Sequence, residues 1–137
     1  MVITELLHAS LLVSDLDRAR DFYEGLLGLA PMPERPDLGF AGVWYRVGQG
    51  QIHLLALPNP DPVAGRPEHG GRDRHVALGV ADFTALRQQL DAAGMAYTLS
   101  RSGRAALFVR DPDGNALELI SLSQLIEGEG HKPADAQ

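Results

Sequence analysis

Four ionisable residues sit inside runs that otherwise read as apolar strands: His8 in LHASLLV, His53 in QIHLLAL, His75 in RHVALGV and Glu118 in ALELI. A carboxylate in a strand as apolar as ALELI costs on the order of several kcal/mol to desolvate unless it is paired or bound to a cation. The chain has no Cys, which removes thiolate ligands, disulfides and a cysteine nucleophile. Three imidazoles and one carboxylate are then a competent donor set for a divalent metal such as Zn, Fe, Ni or Mn.

The elements that carry these residues come in two copies. An apolar strand over residues 6–13 is followed by a helix cap at Ser14 or Asp15. Apolar positions Leu16, Ala19, Phe22, Tyr23, Leu26 and Leu27 recur at helical spacing, and Gly28 stops the helix. A Pro-rich stretch leads to strands over 41–47 and 51–57. The same order returns with a strand over 74–80, a cap at Asp82, a stripe of Phe83, Leu86, Leu90 and Ala93, and strands over 96–100, 105–110 and 116–120. Offsets support a duplication: His8 to Asp15 and His75 to Asp82 are each seven residues, while His8 to His53 is 45 and His75 to Glu118 is 43. One domain over 1–126 is expected, with module one at 6–57, a linker at 58–73, module two at 74–120 and a mobile polar tail at 127–137.

Strand alternation puts His8 with Ser10 and Leu12, His53 with Gln51 and Leu55, His75 with Ala77 and Gly79, and Glu118 with Ala116 and Ile120. If a pseudo-two-fold axis relates the modules and each sheet curves toward it, the four groups meet in one cleft. His69, in the linker, is expected to be a solvent-exposed loop residue, and His131 lies in the tail without a role. Ser10, Arg101 and Arg104 are the candidate substrate contacts. The Arg101-Ser-Gly-Arg104 run reads equally as a mobile hairpin facing an anionic substrate or as a solvated turn. Asp111-Pro-Asp-Gly-Asn115 is turn chemistry. Trp44 and Tyr45 point to opposite faces of one strand, so one lines the cleft and the other packs under the helix, where Phe22 and Tyr23 also belong.

The 137 residues are 45% hydrophobic and 22% charged, enough for one packed core. A net charge of −6 argues against nucleic acid or an anionic membrane surface as partner. No apolar run approaches the roughly 20 residues of a membrane span. The opening MVITELLHASLLVSD lacks a basic n-region, so a cytoplasmic location is expected. Phosphate-loop, dinucleotide-binding, GxSxG and HExxH motifs are absent. Ser10 also has no acidic orienter to make a nucleophile of it with His8.

Three strings, LHASLLVSDLDRARDFYEGLLGL, RHVALGVADF and ALFVRDPDGNALELI, together resemble the vicinal oxygen chelate superfamily over about residues 5–122. That group includes glyoxalase I, bleomycin-resistance proteins, fosfomycin-resistance thiol transferases and extradiol dioxygenases. The resemblance implies an α+β fold in which two βαβββ modules form an open barrel-like mixed sheet around a metal-holding cleft, commonly in a homodimer. It matches the family's ligands to His8, His75 and Glu118. In glyoxalase I the position of His53 holds a Glu, and in the dioxygenases and fosfomycin enzymes it is generally not a ligand. His53 is therefore either a fourth ligand or an acid–base residue. The implied function is a divalent-metal enzyme with lyase or isomerase chemistry on a small, metal-chelating oxygenated substrate, with Glu118 or His53 moving the proton. The alternatives are an extradiol-type Fe(II) dioxygenase using His8, His75 and Glu118, a thiol transferase, or a non-catalytic drug-binding protein.

Overall fold

The computed structural model describes residues 1–123; the expected mobile tail and His131 lie outside them. The chain forms two compact units, Met1–Pro62 and Val63–Gln137, each built on one mixed sheet.

In the first unit, strand β1 (His8–Leu12) leads into helix α1 (Leu16–Arg20), and strands β2 (Gly42–Val47) and β3 (Gly50–Leu55) follow. Asp15 caps α1, accepting a hydrogen bond from the Arg18 N–H at 3.1 Å. The expected continuous helix to Leu27 instead changes at Asp21 to a π-helical turn, Asp21–Leu26, in which the Leu27 N–H reaches back five residues to the Phe22 carbonyl. The wider turn accommodates two consecutive core aromatics, Phe22 and Tyr23, before Gly28 ends the helix at a φ of 75°. The sheet order is β1-β3-β2, with β1 parallel and β2 antiparallel to the central β3. A further strand is reduced to a bridge between Pro31 and Tyr45 beside the Met32 N–H to Trp44 carbonyl bond. Pro31 and Pro33 have no N–H to offer a longer ladder.

In this sheet the register decides the faces. Ile52, Leu54, Val43 and Tyr45 point to one side and are buried together with Val13, Ala19, Phe22 and Tyr23. The Tyr45 hydroxyl donates to Glu24 Oε2 at 2.8 Å, which ties sheet to helix. His8, Ser10, His53 and Trp44 are left on the other side. Tyr45 is thus the core member of the Trp44–Tyr45 pair.

The second unit has strand β4 (His75–Val80), helix α2 (Phe83–Ala92), and strands β5 (Tyr97–Leu99), β6 (Ala106–Arg110) and β7 (Ala116–Ser121), in the sheet order β4-β7-β6-β5. Asp82 caps α2 through the Ala85 N–H at 3.0 Å. Leu107, Val109, Leu117 and Leu119 are buried on the face that alternates away from Glu118, as is Leu90 of α2. The turn at 111–115 is structural. The Asp111 carboxylate accepts from the N–H groups of Asp113 and Asn115 and from the Asn115 side chain, each at 2.9 Å, and Gly114 supplies a φ of 81°. Each unit is α+β with a mixed sheet, and neither sheet closes into a barrel.

Candidate functional site

The four expected donors fall into two pairs, one in each unit. In the first, β1 and β3 run parallel with Ser10 beside His53, and antiparallel β2 puts Trp44 on the other side of His53. The result is a stack of three rings. His8 and His53 lie with centroids 4.1 Å apart and planes inclined by 16°, and Trp44 covers the other side of His53 at 4.1 Å and 5°. His53 is buried, and its Nε2 lies 2.7 Å from Gln51 Oε1. With the amide oxygen as acceptor, Nε2 carries the proton and Nδ1 keeps the lone pair. Burial first, then the neighbouring His8 and Arg35, lowers the His53 pKa, which favours a neutral imidazole. Ser10, on the same face, is exposed.

In the second unit, the sheet register sets Ala77, Glu118, Phe108 and Thr98 side by side on the face that also carries His75. His75 Nδ1 lies 2.8 Å from the Asp73 carbonyl, an acceptor only, so Nδ1 carries the donating proton. That leaves Nε2, 3.4 Å from Glu118 Oε1. The Glu118 side chain is only 5% exposed, and its Oε2 takes a hydrogen bond from Arg104 Nη2 at 3.3 Å. Arg104 is tethered in turn through Ser102 Oγ, which also meets Ser100 Oγ. The run at 101–104 is thus hydrogen-bonded to Glu118, while Arg101 is exposed.

This second pair fits a cation on two counts. When His75 is neutral, an imidazole lone pair and a carboxylate oxygen face each other, a contact that a positive charge between them turns from repulsive to attractive. Two donors each about 2.0–2.1 Å from one tetrahedral ion stand roughly 3.3–3.4 Å apart, which is the spacing seen. The first pair fits less directly. An imidazole binds a metal in its own ring plane, and two nearly parallel rings do not aim both lone pairs at one point. Among the described residues no group of three or more His, Asp or Glu is gathered to hold a metal ion.

His69 is not the exposed loop residue expected from its linker position. It is buried, with Nδ1 2.6 Å from Thr98 Oγ1 and its ring edge-on to Phe108 at 4.8 Å. Gly70 explains how it gets there: a Cβ would come within 3.1 Å of Phe108 Cβ, so the glycine lets the backbone lie on the sheet. The pair of glycines after His69 was the available signal.

The fold is that of a glyoxalase-type α+β protein, and comparison with known proteins places it. The model of the Glyoxalase/Bleomycin resistance protein/Dioxygenase superfamily matches residues 5–119. Glyoxylase I 4 of Arabidopsis thaliana is 30% identical over 129 residues, covering 90% of this chain and 74% of that protein. Lactoylglutathione lyase of Haemophilus influenzae is 31% identical over 138 residues, covering 93% and 99%. A crystal structure of a protein assigned to the glyoxalase family of Bacillus anthracis superimposes with a TM-score of 0.72 at 23% identity, over 88% of this chain and 97% of that one, which shows the shared fold. The chain belongs to the Glyoxalase/Bleomycin resistance protein/Dioxygenase superfamily.

Proposed function

We propose that this protein is a divalent-metal-dependent enzyme of lyase or isomerase type, acting on a small substrate that chelates through adjacent oxygens. The observation that carries the reading is the facing of His75 Nε2 and Glu118 Oε1 at 3.4 Å inside a buried, hydrogen-bonded setting. His8, His75 and Glu118 are the residues we assign to hold the cation. The relatives named as lactoylglutathione lyase support the reaction type.

A bound divalent cation would polarise the substrate oxygens and stabilise the negative charge that develops on them. The rest falls to side chains. His53, with its Nδ1 lone pair open, would take a proton from a carbon beside a substrate oxygen and return it to the neighbouring position. Gln51 fixes the tautomer, and the Trp44 ring shields one face of the imidazole from water. Glu118 has Arg104 on one oxygen, which leaves its other oxygen facing His75. Ser10, Arg101 and Arg104 are assigned to substrate contact. His53 joins as a fourth ligand only by leaving its stack. We further assign the 1–126 segment to one domain working as a cytoplasmic homodimer, consistent with the absence of Cys; among the described residues no helix is long and apolar enough to cross a membrane.

A second reading is favoured by one observation. With His53 engaged by Gln51 and Trp44, the residues that the family resemblance matches to ligands, His8, His75 and Glu118, would supply the two-His, one-carboxylate set of Fe(II) oxygen chemistry. The test is a screen of α-oxoaldehyde–thiol adducts and catechols with Zn, Ni, Mn or Fe(II) protein, with and without oxygen. Turnover that needs no oxygen supports the lyase or isomerase. Oxygen uptake with Fe(II) alone supports the dioxygenase.

A further inference from the structure

Residues 66–73 form an arm laid on the second sheet and pinned at several points. The Asp73 carboxylate takes the Arg66 guanidinium through two hydrogen bonds of 2.7 Å each, one to each oxygen, and the Arg110 guanidinium at 2.9 Å. Arg110 also donates to the carbonyls of Gly114 at 2.7 Å and Pro67 at 2.6 Å. The Asp73 N–H bonds back to the Gly70 carbonyl, closing a short 3₁₀ turn, Gly70–Arg72. The Asp73 carbonyl receives His75 Nδ1. On another side, the Phe108 ring meets the His75 ring edge-on, centroids 5.1 Å apart at 90°, and is itself met by His69 at 4.8 Å.

We propose that this arm sets the tautomer and ring plane of His75, with Arg66, Arg110 and Asp73 as positioning residues and Phe108, flanked by His69, as the second wall. An unrestrained neutral imidazole exchanges between its two tautomers, and only one of them leaves the Nε2 lone pair free for a cation beside Glu118. Holding the Asp73 carbonyl in place selects the Nδ1–H form. The segment that reads as a linker is therefore the outer support of the site, and its two arginines do their work at one remove from any bound group. This rests on the assignment of His75 as a cation donor, but its primary readout does not.

The test uses long-range ¹H–¹⁵N spectra of the full-length protein without added metal, at about pH 8, where an ordinary imidazole is neutral. The His75 signals are assigned by their loss in His75→Gln. The wild type should show Nδ1 protonated and held, whether or not Nε2 also carries a proton toward Glu118. The Arg66→Gln/Arg110→Gln double variant, folded by circular dichroism, should show tautomer averaging, and Arg66→Lys/Arg110→Lys should retain part of the wild-type signature. Zinc affinity should fall by about 10–100-fold in the Gln variant. If the double Gln variant does not fold, the wild-type signature and that of Arg110→Gln alone decide. An averaged imidazole, or one protonated at Nε2 alone, in the wild type overturns the proposal, as does an unchanged signature in the Gln variants. The expected tautomers in a protein that binds no zinc would uphold the positioning role and remove the metal reading instead.

Discussion

His8 and His53 lie face to face with ring centroids 4.1 Å apart and planes inclined by 16°, so the two imidazoles adjoin without aiming at a common point. In the function proposed, their roles separate. His8→Ala should lower metal content in parallel with activity. His53→Asn should keep the metal and lower kcat by about 10²–10⁴-fold, the usual contribution of a positioned acid–base group. Elemental analysis beside steady-state kinetics checks both, and loss of metal in His53→Asn would make His53 a ligand.

The Glu24–Tyr45 bond should matter for stability more than for chemistry. Burial raises the Glu24 pKa, but hydrogen bonds from Arg20 and then Tyr45 outweigh it, and the net shift is downward. A carboxyl whose folded-state pKa is lowered contributes stability that is fully present above its unfolded value, about 4.3, and is lost as pH falls through the folded value. Tyr45→Phe, which leaves Glu24 one donor short, should cost about 1–2 kcal/mol near neutral pH. The difference from wild type should shrink in acid once Glu24 is protonated. Urea melts across that range measure it.

Tyr45 itself is pushed above the ordinary phenol range, by burial first and then by its bond to Glu24. In a spectrophotometric titration, Tyr45 should fail to ionise until the protein unfolds in alkali. Tyr45→Phe should remove one tyrosine from the late component.

Gly42 has no room for a side chain. A Cβ there would collide with the Leu54 carbonyl and lie 2.8 Å from an Arg35 guanidinium nitrogen. Gly42→Ala should destabilise the protein by about 1–3 kcal/mol by forcing β2 away from β3. A drop in melting temperature with retained far-ultraviolet signal is the expected result.

Most of the fold was legible because the signals were local and redundant. Asp15 and Asp82 announce helices, Gly28 and Gly94 end them, and alternation within each strand put His53 and Tyr45 on opposite faces once β2 and β3 paired. The π-helical turn was not legible, since Phe22 and Tyr23 fit an ordinary helical stripe until both have to be buried. His69 was missed for a different reason. Its burial depends on Gly70 lying against Phe108 and on Asp73 meeting Arg66 and Arg110, contacts between segments up to 38 residues apart of which the sequence shows locally only the two glycines after His69. Likewise the strand alternation gave the side of the sheet for His8 and His53, but not that their rings would stack.

Equilibrium titration of metal-stripped protein with zinc or nickel decides whether Glu118 and His75 hold a divalent cation. Wild type should take up one ion per chain, with Glu118→Gln and His75→Gln each weakening it by at least about 100-fold and Arg101→Gln leaving it unchanged. Wild-type binding retained in full by both Glu118→Gln and His75→Gln would mean that this pair holds no cation.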